Sequence, residues 1–167
     1  MQRLAILGRT MNNNKCLKTF SLRDKLLFRN GFYGFIIVGT FGISTLESTY
    51  MGMAYLAYSI IGLFLGVLYF LCSHCPHVYI YNSCLFYPPI ILKKLYRFRK
   101  TPINLIDKIG FVGLMGSFVI IPNIWIWKNI FIIAFFWAFA LPTILGLLFY
   151  VCHRCRNLSC PFNQVTA

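Results

Sequence analysis

The sequence predicts an all-α membrane protein with four transmembrane helices as two repeated hairpins, joined and followed by cysteine-rich cytoplasmic segments. Three observations carry this. Hydrophobic residues make up 59% of the chain and charged ones only 11%, against roughly 25% charged in soluble domains. The apolar residues gather into four runs of about 15 to 22 residues, close to the about 20 that cross about 30 Å of hydrocarbon as a helix. The net charge of +13 lies between these runs, which argues against a soluble basic module and a nucleic-acid partner and is what membrane topology produces.

Residues 1–30 form a basic cytoplasmic segment. Its start, Met1-Gln2-Arg3-Leu4-Ala5-Ile6-Leu7-Gly8, has too short an apolar run for a secretory signal, so no cleaved leader is expected. The first hairpin, residues 31–71, pairs a run from Gly31 to Leu46 with one from Tyr50 to Leu71, divided by Glu47, Ser48 and Thr49. Residues 72–105 are a cytoplasmic segment rich in cysteine and basic side chains. The second hairpin, residues 106–151, begins at Asp107-Lys108, runs to Ile121 and continues as an interfacial stretch from Pro122 to Trp127. After Lys128 and Asn129 a last run goes from Ile130 to Val151. Residues 152–167 are a cysteine-rich tail. The second and fourth runs are apolar around every helical face, the pattern of a helix surrounded by lipid, and Pro142 is tolerated there with a kink.

Orientation follows from the loops. Arg3, Arg9, Lys15, Lys18, Arg23, Lys25 and Arg29 precede the first span. Lys93, Lys94, Arg97, Arg99, Lys100 and Lys108 separate the second from the third, and Arg154 and Arg156 follow the fourth. The two tight turns carry only Glu47 and Lys128. The positive-inside rule therefore places both termini and the middle segment in the cytoplasm of a multi-pass protein of the cell membrane.

The halves resemble each other. Asp24-Lys25 leads into one hairpin and Asp107-Lys108 into the other, and they exit through Leu71-Cys72-Ser73-His74-Cys75 and Val151-Cys152-His153-Arg154-Cys155. Apolar helices resemble one another by composition, so the matched C-x-x-C exits are the stronger part of this repeat.

Six of the seven cysteines fall at these exits: Cys72, Cys75 and Cys84, then Cys152, Cys155 and Cys160, with Cys16 apart. A C-x-x-C pair lets two thiolates converge on one metal while nearby N–H groups stabilise the sulfur charge. Thiols facing a reducing compartment more often ligate metals or do redox chemistry than form structural disulfides. The leading expectation is a zinc or iron-sulfur centre on these six residues, with His74 and His77 as candidate additional ligands and His153 as a further one. The alternatives are a membrane thiol-disulfide oxidoreductase exchanging through Cys72-Cys75 and Cys152-Cys155, a heavy-metal carrier, and plain packing by small apolar side chains.

At these motifs the chain resembles a family of small, uncharacterised prokaryotic four-helix integral membrane proteins with a C-x-x-C-P segment and a C-x-x-C-x-N-x-x-C-P-x-N segment. Here they read Cys72-Ser73-His74-Cys75-Pro76 and, beginning at Cys152, Cys155, Asn157, Cys160, Pro161 and Asn163. The resemblance spans roughly residues 24 to 165 and implies no particular activity.

The run from Lys93 to Lys100, flanked by Pro88-Pro89 and Thr101-Pro102, is expected to form a short interfacial helix that sets topology and offers Lys93, Lys94, Arg97, Arg99 and Lys100 to anionic lipids. The same cytoplasmic face could receive a protein partner. Trp125, Trp127, Tyr50 and Tyr55 are placed in the outer aromatic belt, and Tyr69, Tyr79, Tyr81 and Tyr87 in the inner one. The three carboxylates, Asp24, Glu47 and Asp107, are far apart in sequence, and no phosphate loop, nucleophile elbow or H-E-x-x-H is present, which argues against a hydrolase or kinase. The spans also lack the mid-membrane ionisable residues that mark proton-coupled transport.

Overall fold

A computed structural model describes residues 19–99, 101 and 103–152. The described residues are helical and contain no strand, and four helices are long and apolar enough to cross a membrane: Leu22–Leu46, Thr49–His74, Leu105–Ile126 and Ile130–Val151. In their most apolar stretches only 17 to 39% of residues are buried within the protein. Large apolar side chains such as Ile37, Leu65, Ile109 and Phe135 face outward along the whole length, a surface that only an apolar surrounding stabilises. The chain is compatible with a multi-pass membrane protein on these grounds.

The first helix begins nine residues before its apolar run. Ser21 accepts a hydrogen bond from the Asp24 amide (3.1 Å) and the Asp24 carboxylate accepts one from the Ser21 amide (3.2 Å). This reciprocal cap fixes the start at Leu22, so Arg23, Lys25 and Arg29 ride on the helix itself rather than on a preceding loop.

That first helix is the hub. It packs against the second, third and fourth spans, and the third and fourth touch each other less than each touches it. Its glycines allow the approach: a Cβ on Gly34 would lie 2.7 Å from the Phe139 ring, and one on Gly42 would lie 2.7 Å from both Ile126 and Ile132. Small residues at such contacts let helix backbones come close where lipid supplies no hydrophobic drive.

Pro122 is buried inside the third helix, which continues to Ile126 instead of breaking into an interfacial stretch. Proline has no N–H to give the carbonyl four residues earlier. The Tyr55 hydroxyl supplies the missing donor, bonding the Phe118 carbonyl at 2.8 Å. Tyr55 is 4% exposed, so it belongs inside the bundle and not to the aromatic belt expected of it, whereas Tyr50 is fully outside.

The second and fourth spans each contain a widened π-helical turn in their later part, Gly62–Val67 and Gly146–Val151. The first lies about one helical turn before Cys72, and the second runs directly into Cys152. At the opposite end of the bundle the two tight turns are joined by an ion pair between Glu47 and Lys128. The segment expected as an interfacial helix over 93–100 is instead helical over Pro89–Leu95. Pro89 sits in its first turn, where a missing N–H does no harm. Tyr96 to Arg99 follow as irregular backbone.

Candidate functional site

Beyond the second span the chain turns back on itself. A short 3-10 turn, Cys72–His74, leads into a single helical turn, Pro76–Tyr79. Asn82 then adopts a left-handed backbone with φ 51°, a conformation that asparagine tolerates better than most residues. The Ser83 amide closes the loop on the His77 carbonyl at 2.8 Å, and the Ser83 hydroxyl accepts from the Phe20 amide at 3.1 Å. Arg29 on the first helix donates through Nε to the Leu85 carbonyl at 3.1 Å. These tethers bring Cys84 back against Cys72.

Both thiols are buried, at 3% exposed for Cys72 and 5% for Cys84. The Cys72 thiol hydrogen-bonds the Cys84 sulfur, and this is the main cause that lowers the Cys84 pKa from 9.0 to about 7. Burial opposes the shift, while the Tyr87 and Phe86 amides and the Arg29 charge add to it. The shift favours the Cys84 thiolate, the form that attacks electrophiles and binds metals. The Tyr79 hydroxyl donates to the Tyr96 carbonyl at 2.8 Å, and its pKa is raised by burial and by the nearby Cys72 and Cys75.

Of the six cysteines expected to act together, Cys72 and Cys84 are in contact. Cys75 is half-buried close by, and Cys152 is buried at the end of the fourth span. Cys155, Cys160 and His153 lie outside the described residues. Among those described, no three or more histidine, cysteine, aspartate or glutamate side chains gather where they could hold a metal ion. His77 is fully buried with its ring 5.0 Å from Phe20 and 6.0 Å from Tyr81.

His74 points elsewhere, into a polar cluster that sequence reading missed. Its Nδ1 lies 2.9 Å from the Thr101 carbonyl and its Nε2 3.5 Å from the Asp107 carboxylate. Asp107, in the first turn of the third helix, is buried and 3.8 Å from the Arg99 guanidinium. Arg99 in turn lies over the Tyr69 ring, 4.2 Å from its centroid, and donates to the Tyr69 hydroxyl at 2.5 Å. Its amide donates to the Ser73 carbonyl at 2.9 Å. Arg99 is therefore not a free basic side chain waiting for lipid. The available signal was scarcity: with three carboxylates among sixteen lysines and arginines, a carboxylate at a span's edge should find cations.

No protein-family model, curated protein or solved structure matches the chain, so the resemblance drawn above rests on the cysteine motifs themselves.

Proposed function

We propose that this is a multi-pass protein of the cell membrane, with both termini and residues 72–105 in the cytoplasm, that holds a thiolate-ligated metal, zinc or an iron-sulfur centre, at its cytoplasmic face. The observation that carries the reading is the contact between Cys72 and Cys84, in which one buried thiol acidifies the other to a pKa of about 7. Metal binding requires deprotonated sulfur, and the hydrogen bond from the second thiol favours that form against the opposing effect of burial. Cys75, Cys152, Cys155 and Cys160 are the candidates for the remaining ligands, and the two-hairpin repeat is the reason to expect one site shared between halves. Lys93, Lys94, Arg97 and Lys100 would face the anionic lipids of the same leaflet.

A second reading is favoured by the same contact: two touching thiols of unequal acidity can form a disulfide. Oxidation of Cys72 and Cys84 would release two electrons and two protons, which a quinone or a partner disulfide would have to accept. Burial of both sulfurs works against exchange with a protein client, which leaves the metal reading ahead. Purification in detergent without oxygen, followed by metal analysis and a visible spectrum, separates the two. Stoichiometric zinc, or iron with labile sulfide and brown colour, is the expected result. Metal-free protein with a Cys72–Cys84 disulfide would replace the metal reading with the redox one.

A further inference from the structure

A groove of about 300 Å³ runs along the outside of the bundle between the first two spans. Tyr33 and Ile37 of the first helix, Leu56, Ile60 and Phe64 of the second span, and Tyr87 of the loop beyond it are among the residues that line it. Ile37, Ile60 and Phe64 are 40 to 63% exposed, so the groove opens sideways to the hydrocarbon around the spans. Its volume stands at the lower edge of small-molecule sites, about 300 to 1,000 Å³.

The wall is apolar except at its cytoplasmic end. No charged side chain among the described residues lines it, and the buried Ser59 hydroxyl is committed to the Tyr55 carbonyl at 2.8 Å. The side-chain donors left are the Tyr33 and Tyr87 hydroxyls, which interact with one another. Burial raises the Tyr87 pKa, and Tyr33, Cys72 and Cys84 add to the shift, so this phenol keeps its proton and remains a donor. The Tyr87 ring packs against Phe64 with centroids 5.1 Å apart. Phe64 belongs to the π turn Gly62–Val67, and its carbonyl accepts from the Tyr96 hydroxyl at 3.2 Å. Widened turns of this kind inside helices occur often at functional sites.

These features restrict the occupant. A carboxylate or phosphate would enter without a counter-charge, which is costly in an apolar wall. A bare hydrocarbon would leave the two hydroxyls with only each other. A neutral ring bearing a carbonyl oxygen accepts from a phenol and packs against aromatic side chains, and a hydrocarbon tail on that ring leaves through the lateral opening. The choice among neutral carbonyl compounds comes from the thiols. The Tyr87 amide hydrogen-bonds the Cys84 sulfur while the Tyr87 side chain walls the groove, so one residue joins the groove to the thiol pair. A quinone is the flat, neutral carbonyl compound that either an iron-sulfur centre or a dithiol can exchange electrons with.

We propose that this groove binds a prenylated quinone, with a ring carbonyl accepting from the Tyr33 and Tyr87 hydroxyl pair and the tail in the lipid. Binding rests on the groove's own side chains, so it holds whether Cys72 and Cys84 ligate a metal or form a disulfide, and its failure would leave both readings of the thiols standing.

The test uses the full-length protein in detergent, offered decylubiquinone, decylbenzene, dioctanoylglycerol or oleic acid separately, with bound ligand read by native mass spectrometry. Decylubiquinone should be retained at least about tenfold more strongly than each of the others. Tyr33→Phe and Tyr87→Phe keep the rings and remove one hydroxyl each, and each should lower that retention by about two- to tenfold, the worth of one hydrogen bond. Ile60→Trp, at an exposed position, should fill the groove and abolish binding; the two tyrosine variants remain decisive if it does not fold. Equal retention of decylbenzene would reveal only an apolar surface and overturn the proposal. Preference for the diglyceride or for oleate, or decylubiquinone binding that survives all these substitutions unchanged, would overturn it as well.

Discussion

Tyr55 and Cys84 show how single side chains settle local problems that the backbone creates. Pro122 leaves the Phe118 carbonyl without a donor in the middle of a span, and Tyr55 answers it from the second helix. Tyr55→Phe should keep the packing and lose the bond, lowering stability in detergent by about 1 to 3 kcal/mol, the cost of an unsatisfied buried group. Thermal or denaturant unfolding against the parent reads this, and an unchanged midpoint would mean that the carbonyl is satisfied some other way. Cys84 has a folded pKa below its ordinary value, so the stability it contributes is complete above pH about 9 and lost as pH falls through about 7. Its alkylation by a small thiol reagent should follow a titration with midpoint near 7, and Cys72→Ala should move that midpoint upward. A midpoint unchanged by that substitution would show that Cys72 is not the main cause.

At the scale of helices, close approach by the first span organises the bundle. Gly42→Leu would drive a side chain into Ile126 and Ile132, and should cost about 1 to 3 kcal/mol through overpacking, measured by the same unfolding. Gly113 meets nothing within 4 Å, so Gly113→Ala should be tolerated; a loss there equal to that at Gly42 would refute close packing as the reason. Span number and the position of the turns were legible because the apolar runs are long and the charges between them few. The helix start at Leu22 was legible in principle from Ser21 and Asp24, but hydropathy pulled the expected boundary to Gly31. Pro122 and Pro89 were misjudged in opposite directions. In one case a distant hydroxyl rescued a helix that proline should have ended, and in the other proline began a helix that basic residues were expected to form. The π turns before Cys72 and near Cys152 had no visible signal, since they depend on hydrogen-bond spacing and not on composition.

For the whole molecule, the two ends of the bundle differ in kind. One end is closed by two tight turns and the Glu47 to Lys128 pair. The other carries the buried thiols and the polar cluster around His74. Two features separated by a dozen residues in sequence, Cys72 with Cys84, come together through a turn at Asn82. Two others, His74 with Asp107, meet only because the third span starts beside the end of the second. The cysteine spacing made the first pair a reasonable suspicion, while the second needed three-dimensional contact to be seen. Orientation is open to an impermeant thiol reagent on intact cells: cysteines at the polar end should be protected until the membrane is opened, and ready labelling from outside would reverse the assignment. The central claim, that thiolates at this end hold a metal, is tested most directly by X-ray absorption at the edge of whatever metal co-purifies without oxygen. A shell of sulfur neighbours at about 2.3 Å is the predicted result, and a shell of oxygen and nitrogen alone would contradict it.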